Sequence, residues 1–282
     1  MNLLGPILLA VVVALVLAAV GMSRHRKESL IRLLRRILVG VAIALVLVIV
    51  GVYWVGPVSA SFLIARKLPR NARLTPADLK DLSISRAPGL RASYMGYEFD
   101  LPWSDLDNAH TRLYPEENPS RVVMPFHSGL VLTVNAVPPG EWAKGLATTF
   151  KVSPQTLQAA LGPETMQSDY SFLNMLYEFT PERMNYWAIS PRVHYREGFL
   201  LMIKSLALLP CADSGIFRIQ NQRYKGFQQG DPAARNKEIL VNLYSDEDSI
   251  ELSFRQGKYL KEGGVTQPEI NRIVQSLNKA SH

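Results

Sequence analysis

The sequence predicts an α+β protein: an N-terminal two-helix transmembrane hairpin followed by an antiparallel sheet domain covered by helices. Two long uncharged runs, at residues 2–22 and 37–55, predict the hairpin. Segments of period-two alternation before residue 140 and after residue 215 predict the sheet, and segments of three-and-four spacing between them predict the helices. The expected organisation is a hairpin over residues 1–57, a connector over 58–91 and an α+β domain over 92–282.

The hairpin comes first. A helix over about 3–22 opens near Pro6, where a missing N–H costs little. A basic turn follows, with Arg24, Arg26, Lys27, Arg32, Arg35 and Arg36. The second helix runs over about 31–55 and ends in Tyr53 and Trp54, rings that favour a membrane interface. Its uncharged part, 37–55, would reach about 28 Å as helix, close to the thickness of a bilayer core. Short loops rich in Lys and Arg stay in the cytoplasm, so both ends of the hairpin are expected outside it. Arg66, Lys67, Arg70 and Arg73 beyond the second run pull the other way. An alternative starts translation at Met22 and makes 22–60 a signal peptide cleaved after Val58-Ser59-Ala60. On the first reading the partners are the lipid bilayer of the bacterial inner membrane and an envelope protein.

Charge narrows the partners further. Residues 1–57 carry a net charge of +5 and residues 58–282 only +2. The high isoelectric point therefore belongs to the hairpin, and no nucleic-acid footprint is expected on the domain. The one cysteine, Cys211, allows neither an internal disulfide nor a Cys-based zinc site, and beside Pro210 it reads as a small packed residue.

The connector is expected to hold a short helix over 76–82, with Thr75 as its N-cap and Pro76 in its first turn. In the domain, Tyr94–Pro102 reads as one strand and 104–120 as a loop. Arg121–His127 and Leu130–Val137 read as a hairpin around Ser128-Gly129. Helices are expected over 153–161, 168–179 and 191–209, each bounded by Pro or Gly. Strands follow at 215–221, 224–230, 238–244 and 249–255. In the third of these, Ile239, Val241 and Leu243 share one face, and Leu240, Asn242 and Tyr244 the other. Thr266 caps a final amphipathic helix through Ile270, Ile273, Val274 and Leu277.

Three stretches carry a likeness to a known fold. Gly96-Tyr97-Glu98-Phe99-Asp100-Leu101-Pro102-Trp103 is an aromatic-rich strand ending in Pro and Trp. Arg223-Tyr224-Lys225-Gly226-Phe227-Gln228 is a central strand, and Glu269 to Leu277 a closing helix. Across residues 92–280 the chain resembles the PsbP-like α/β sandwich, with a helical insert at 153–210. The resemblance implies an antiparallel sheet covered by helices that serves as an extrinsic binding or assembly module, with no active site.

No catalytic, cofactor or metal residue is assigned. His127-Ser128 lacks the Gly-x-Ser-x-Gly elbow of a hydrolase and lies on a turn. His25, His110, His127, His194 and His282 are scattered, with no i, i+4 pair for zinc. Asp246, Glu247 and Asp248 lack the Gly and the distal Glu of a calcium loop, and Gly263-Gly264 lacks a phosphate-binding Lys. Arg218, Arg223, Lys225, Arg235 and Lys237 read as charges protecting a sheet edge. The expected function is therefore a non-enzymatic domain for binding or complex assembly. A membrane-anchored hydrolase on His127 and Ser128 is the alternative, and an accessory subunit of an envelope complex a third reading.

Overall fold

The structure, a computed structural model, describes residues 27–51, 59, 63, 66, 70–117, 119–151, 153–162, 168–186, 188, 191–256 and 264–280. The chain divides into two compact units, residues 1–62 with 186–194 and residues 63–185 with 195–282.

In the first unit, helix α1 spans Lys27–Val50. Its first ten residues include Lys27, Glu28, Arg32, Arg35 and Arg36. The uncharged helical stretch is Ile37 to Val50, 14 residues, or about 21 Å at 1.5 Å each, against the ~30 Å of a hydrocarbon core. Among the described residues, no helix is long and apolar enough to cross a membrane. This corrects the expected transmembrane hairpin and the integral-membrane reading built on it. The expected helix over 3–22 and the signal-peptide alternative lie outside the described residues.

The second unit is built on an eight-stranded sheet. Its strands in chain order are β1 (Ala77–Asp78), β4 (Arg112–Tyr114), β5 (Ser120–Pro125), β6 (Leu130–Val137), β7 (Ile216–Gln220), β8 (Lys225–Gln229), β9 (Glu238–Tyr244) and β10 (Ser249–Gln256). They lie in the order β1-β7-β8-β9-β10-β6-β5-β4. All neighbours are antiparallel except β1 and β7, which run parallel, so the sheet is mixed, where a purely antiparallel one was expected. The parallel strand is the connector itself. Thr75-Pro76 does not open a helix over 76–82; residues 77 and 78 instead add an edge to β7.

A small second sheet joins β2 (Leu90–Tyr94), β3 (Tyr97–Leu101) and β11 (Asn278–Lys279) in the order β11-β3-β2. The expected single strand over 94–102 is broken by Met95 (φ 54°) and Gly96 (φ 77°), a two-residue turn with both residues left-handed. That geometry suits the twist of a tight hairpin, and Tyr94 pairs with Tyr97 across it. Strand β4 lies in the region read as a loop.

Alternation along the strands gives the large sheet two unlike faces. One face presents Ile239, Val241 and Leu243 from β9 and Ile250, Leu252 and Phe254 from β10, all buried in one apolar cluster. It is covered by β3 and by α6 (Gln267–Ser276), which contributes Ile270, Ile273 and Val274. Helix α6 is fixed at its start by Glu269, whose carboxylate accepts from the Thr266 N–H (2.7 Å) and hydroxyl (2.9 Å) and from the Trp103 indole (2.9 Å). Buried amides on this side are paired. Gln228 and Gln267 exchange hydrogen bonds of 2.8 and 3.0 Å, and Asn271 donates to the carbonyls of Asp81 and Ser83, both at 2.9 Å.

The opposite face is covered, over β7 to β9, by α3 (Pro154–Leu161), α4 (Asp169–Glu178) and the body of α5 (Pro191–Ala207). Ile216, Phe227 and Tyr244 meet Leu157, Leu173, Leu176 and Leu200 there. Within this layer the Lys204 ammonium, fully buried, donates to the carbonyls of Leu74 (2.6 Å), Tyr177 (2.8 Å) and Phe179 (2.9 Å). Two of those oxygens belong to the end of α4, where a helix leaves carbonyls without partners. One further helix, α2 (Glu141–Phe150), lies in a stretch to which the sequence analysis assigned no element.

Candidate functional site

Two cavities open on the helix-covered face and meet at Tyr244 and Ser249. The first, about 430 Å³, lies where α2 and α4 begin and is lined in part by Gly140, Asp169, Tyr170 and Lys225. The second, about 350 Å³, lies against α2, between Trp142, Leu146 and the strand residues Val137, Asn242, Ile250 and Glu251.

The starts of the two helices are tied together. Asp169, in the first turn of α4, accepts from the Gly140 N–H at 2.8 Å, and Gly140 (φ +77°) is the N-cap of α2. Burial raises the Asp169 carboxyl above the usual carboxylate range, and the Gly140 hydrogen bond partly offsets this. An aromatic group forms the wall. Tyr170 stacks on Phe227 at 5.3 Å, Tyr177 meets the same ring edge-on at 5.1 Å, and Tyr170 lies 6.5 Å from Tyr244. The Tyr177 hydroxyl accepts from the Gln229 amide at 3.0 Å.

Beside that wall runs a polar row set by register. Asn135 lies opposite Glu251, and Glu251 opposite Asn242. Glu251 accepts from the Asn135 amide at 2.8 Å. Burial pushes its carboxyl above the usual range, the Asn135 hydrogen bond pulls it back in part, and the nearby Glu238 charge pushes it up again. Asn242 is 3% exposed and its Nδ2 has no hydrogen-bond partner; Tyr244 is 6% exposed and its hydroxyl has none. Burial holds the Tyr244 hydroxyl well above the ordinary tyrosine range; the Trp142 indole tempers that rise without closing a hydrogen bond of ordinary geometry. An unpaired buried polar group costs about 1–3 kcal/mol, so two side by side on one strand are a feature that packing alone does not explain. Elsewhere, Gln256 also leaves its amide unpaired next to residues 257–263, which are outside the described set, and the Tyr224 hydroxyl lies beside the Asp248 carboxylate.

The residues singled out by the sequence are not brought together here. His127 and Ser128 are exposed on the β5–β6 turn, held by Asp105 through backbone hydrogen bonds of 3.0 and 2.8 Å. Asp248 is buried and accepts from the Tyr97 hydroxyl (3.1 Å) and the Ser245 hydroxyl (2.6 Å). Glu247 pairs with Arg223 and Lys279. Arg218 pairs with Glu178 and Asp78, so of the expected basic edge Lys225 and Arg223 line the first cavity while Arg218 does not. Cys211 is buried against the Gln229 carbonyl (3.5 Å), and burial pushes its thiol up to about 11. His110 bonds Asp107 at 2.7 Å, and His194 bonds the Ala188 carbonyl at 2.8 Å. His25 and His282 lie outside the described residues. Among the described residues, no group of three His, Cys, Asp or Glu could hold a metal ion.

Asn242 and Tyr244 were legible only as members of a strand face. The available signal was an Asn inside an otherwise apolar strand. Compared with protein-family models, with curated proteins and with solved structures, the chain matches none of them. The likeness to the PsbP-like sandwich thus rests on the residues quoted for it.

Proposed function

We propose that the second unit, residues 63–185 with 195–282, forms a non-enzymatic binding module whose ligand is a small molecule held on the helix-covered face of the large sheet. The observation that carries this reading is the pair Asn242 and Tyr244, buried, lining a cavity and unpaired. A ligand supplying their missing partners would recover the cost of burying them. Pockets of 300–1,000 Å³ with apolar walls and a few polar groups are the usual form of small-molecule sites, and both cavities fall in that range. A thermal-shift screen of the full chain against uncharged and charged fragments tests it. The expected result is a rise in melting temperature with some fragments that disappears in Tyr244→Phe. A screen in which no fragment stabilises the chain would end this reading.

The envelope-protein partner expected from the sequence is the second reading. It is supported by Leu82 and Ile84, 74% and 50% exposed on the segment that Asn271 holds against α6. Replacing both with Asp would abolish capture of such a partner and leave fragment binding unchanged.

A further inference from the structure

The cavity against α2 has a composition that selects among ligands. Its apolar walls are Val137, Trp142 and Leu146. Its floor carries two side chains with unpaired donors, the Asn242 amide and the Tyr244 hydroxyl. Two carboxyl groups, Glu141 and Glu251, also line it, and neither a Lys nor an Arg is among the lining residues. Glu141 is paired with Lys144 at 3.1 Å, whereas Glu251 is half-buried with no cation paired to it among the described residues, so an anionic ligand would bring its charge toward the Glu251 carboxyl, which is costly at low dielectric. A neutral molecule with an acceptor oxygen meets the two donors at no such cost. If that molecule also carries an N–H, Glu251 is within the same lining to accept it, since Glu251 lies directly opposite Asn242 in the sheet.

Resting on the reading of the domain as a small-molecule binder, we infer that the α2 cavity is a site for an uncharged carboxamide on an aromatic or aliphatic body. Both donors are occluded in the slot, so the ligand binds as the Asn242 and Tyr244 side chains turn toward it: its carbonyl oxygen then accepts from both, its amide N–H faces Glu251, and its apolar body lies between Trp142 and Leu146. The cavity of about 350 Å³ matches the share of roughly a dozen waters at ~30 Å³ each, room for a bicyclic ring with its amide. The neighbouring cavity differs in kind: Lys225 and Arg223 line it with Asp169 and Asp246, so it presents both signs of charge.

An isosteric pair of probes tests the inference. 2-Naphthamide and 2-naphthoate are titrated into the full-length chain and followed by chemical-shift changes at the Trp142 indole and at the Val137 and Leu146 methyls. The amide is expected to bind at least about tenfold more tightly than the carboxylate, the penalty of ~1.4 kcal/mol per tenfold for placing a charge there. Tyr244→Phe and Asn242→Leu should each weaken amide binding by about five- to tenfold, the worth of one hydrogen bond near 1 kcal/mol. Leu146→Trp, which fills the slot, should abolish it. Equal binding of the two probes, or amide binding untouched by Leu146→Trp, overturns the inference. Shifts confined to Asp169, Tyr170 and Lys225 overturn the assignment of this cavity and leave the binding reading standing. No shift from either probe overturns the carboxamide assignment, while the fragment screen separately decides whether the domain binds small molecules.

Discussion

The two faces of the eight-stranded sheet bury polar groups in opposite ways. Beneath α6, Gln228, Gln267 and Asn271 form a closed chain of amides that ends on the carbonyls of Asp81 and Ser83. Across the sheet, Asn242 and Tyr244 are as deeply buried and have no partner. The difference lies in what covers them. Helix α6 is set by Glu269 and presents its own amides to the sheet, whereas α2 presents Trp142 and Leu146 and no group that pairs with Asn242. The first face fixes the fold, and the second leaves hydrogen-bonding capacity for something else.

The helix layer can satisfy a buried polar group when the group is structural, as Lys204 demonstrates. Replacing it with Met leaves three carbonyl oxygens without their donor and should cost about 4 kcal/mol, the largest effect expected here, read by chemical denaturation. The pH dependence has a defined sign. Burial lowers the Lys204 ammonium from 10.5 to about 8 in the folded chain. Between about pH 8 and 10.5 the unfolded state therefore holds more protons, so this group raises stability as pH increases through that window. Below pH 8 both states are protonated and the slope from this residue vanishes. A profile of denaturation midpoint against pH should show that rise in the native chain, and the Lys204→Met variant should lack it.

The closed apolar face should respond next most strongly. Leu252 is fully buried among Val241, Val134 and Ile273 in one cluster, and Leu252→Ala should cost about 3 kcal/mol of unfolding free energy. On the open face the sign reverses. Tyr244→Phe removes a hydroxyl that has no partner and should raise stability by about 1 kcal/mol, visible as a higher melting temperature. A loss of stability in that variant would mean the hydroxyl is paired within the fold and would erase the contrast between the faces. The smallest effect belongs to α2. Gly145 sits within the helix, and a Cβ added there meets nothing within 4 Å. Gly145→Ala should stabilise by about 0.5–1 kcal/mol and slow amide exchange in α2 while leaving α6 unchanged.

Much of this architecture was legible in the sequence where periodicity was clean. Strands β6, β9 and β10 and helices α3, α4 and α6 fall at or within a few residues of the expected spans, because their apolar spacing and their Pro, Gly or Thr boundaries agree. Reading failed where tertiary pairing outweighs local signals. Thr75-Pro76 has the pattern of a helix start, yet residues 77 and 78 gain more from pairing with Phe217 and Arg218 at the open edge of β7. Met95 gives no sign of a left-handed turn, which the pairing of Tyr94 with Tyr97 imposes. Uncharged residues 37–55 resemble a membrane span by length, but among the described residues no helix is long and apolar enough to cross a membrane. The candidate site was not legible at all. Asn242 was placed on the correct strand face, but its lack of a partner depends on what α2 presents to it and on side-chain geometry beside Glu251 that register alone does not settle.

The most direct test of the central claim measures stability and binding on the same pair of variants. Tyr244→Phe and Asn242→Leu are compared with the native chain by thermal denaturation and by 2-naphthamide titration. The account predicts that both variants melt at or above the native temperature and bind the amide about five- to tenfold more weakly. Variants that melt lower and bind the amide unchanged would contradict it, placing both side chains in the framework of the fold.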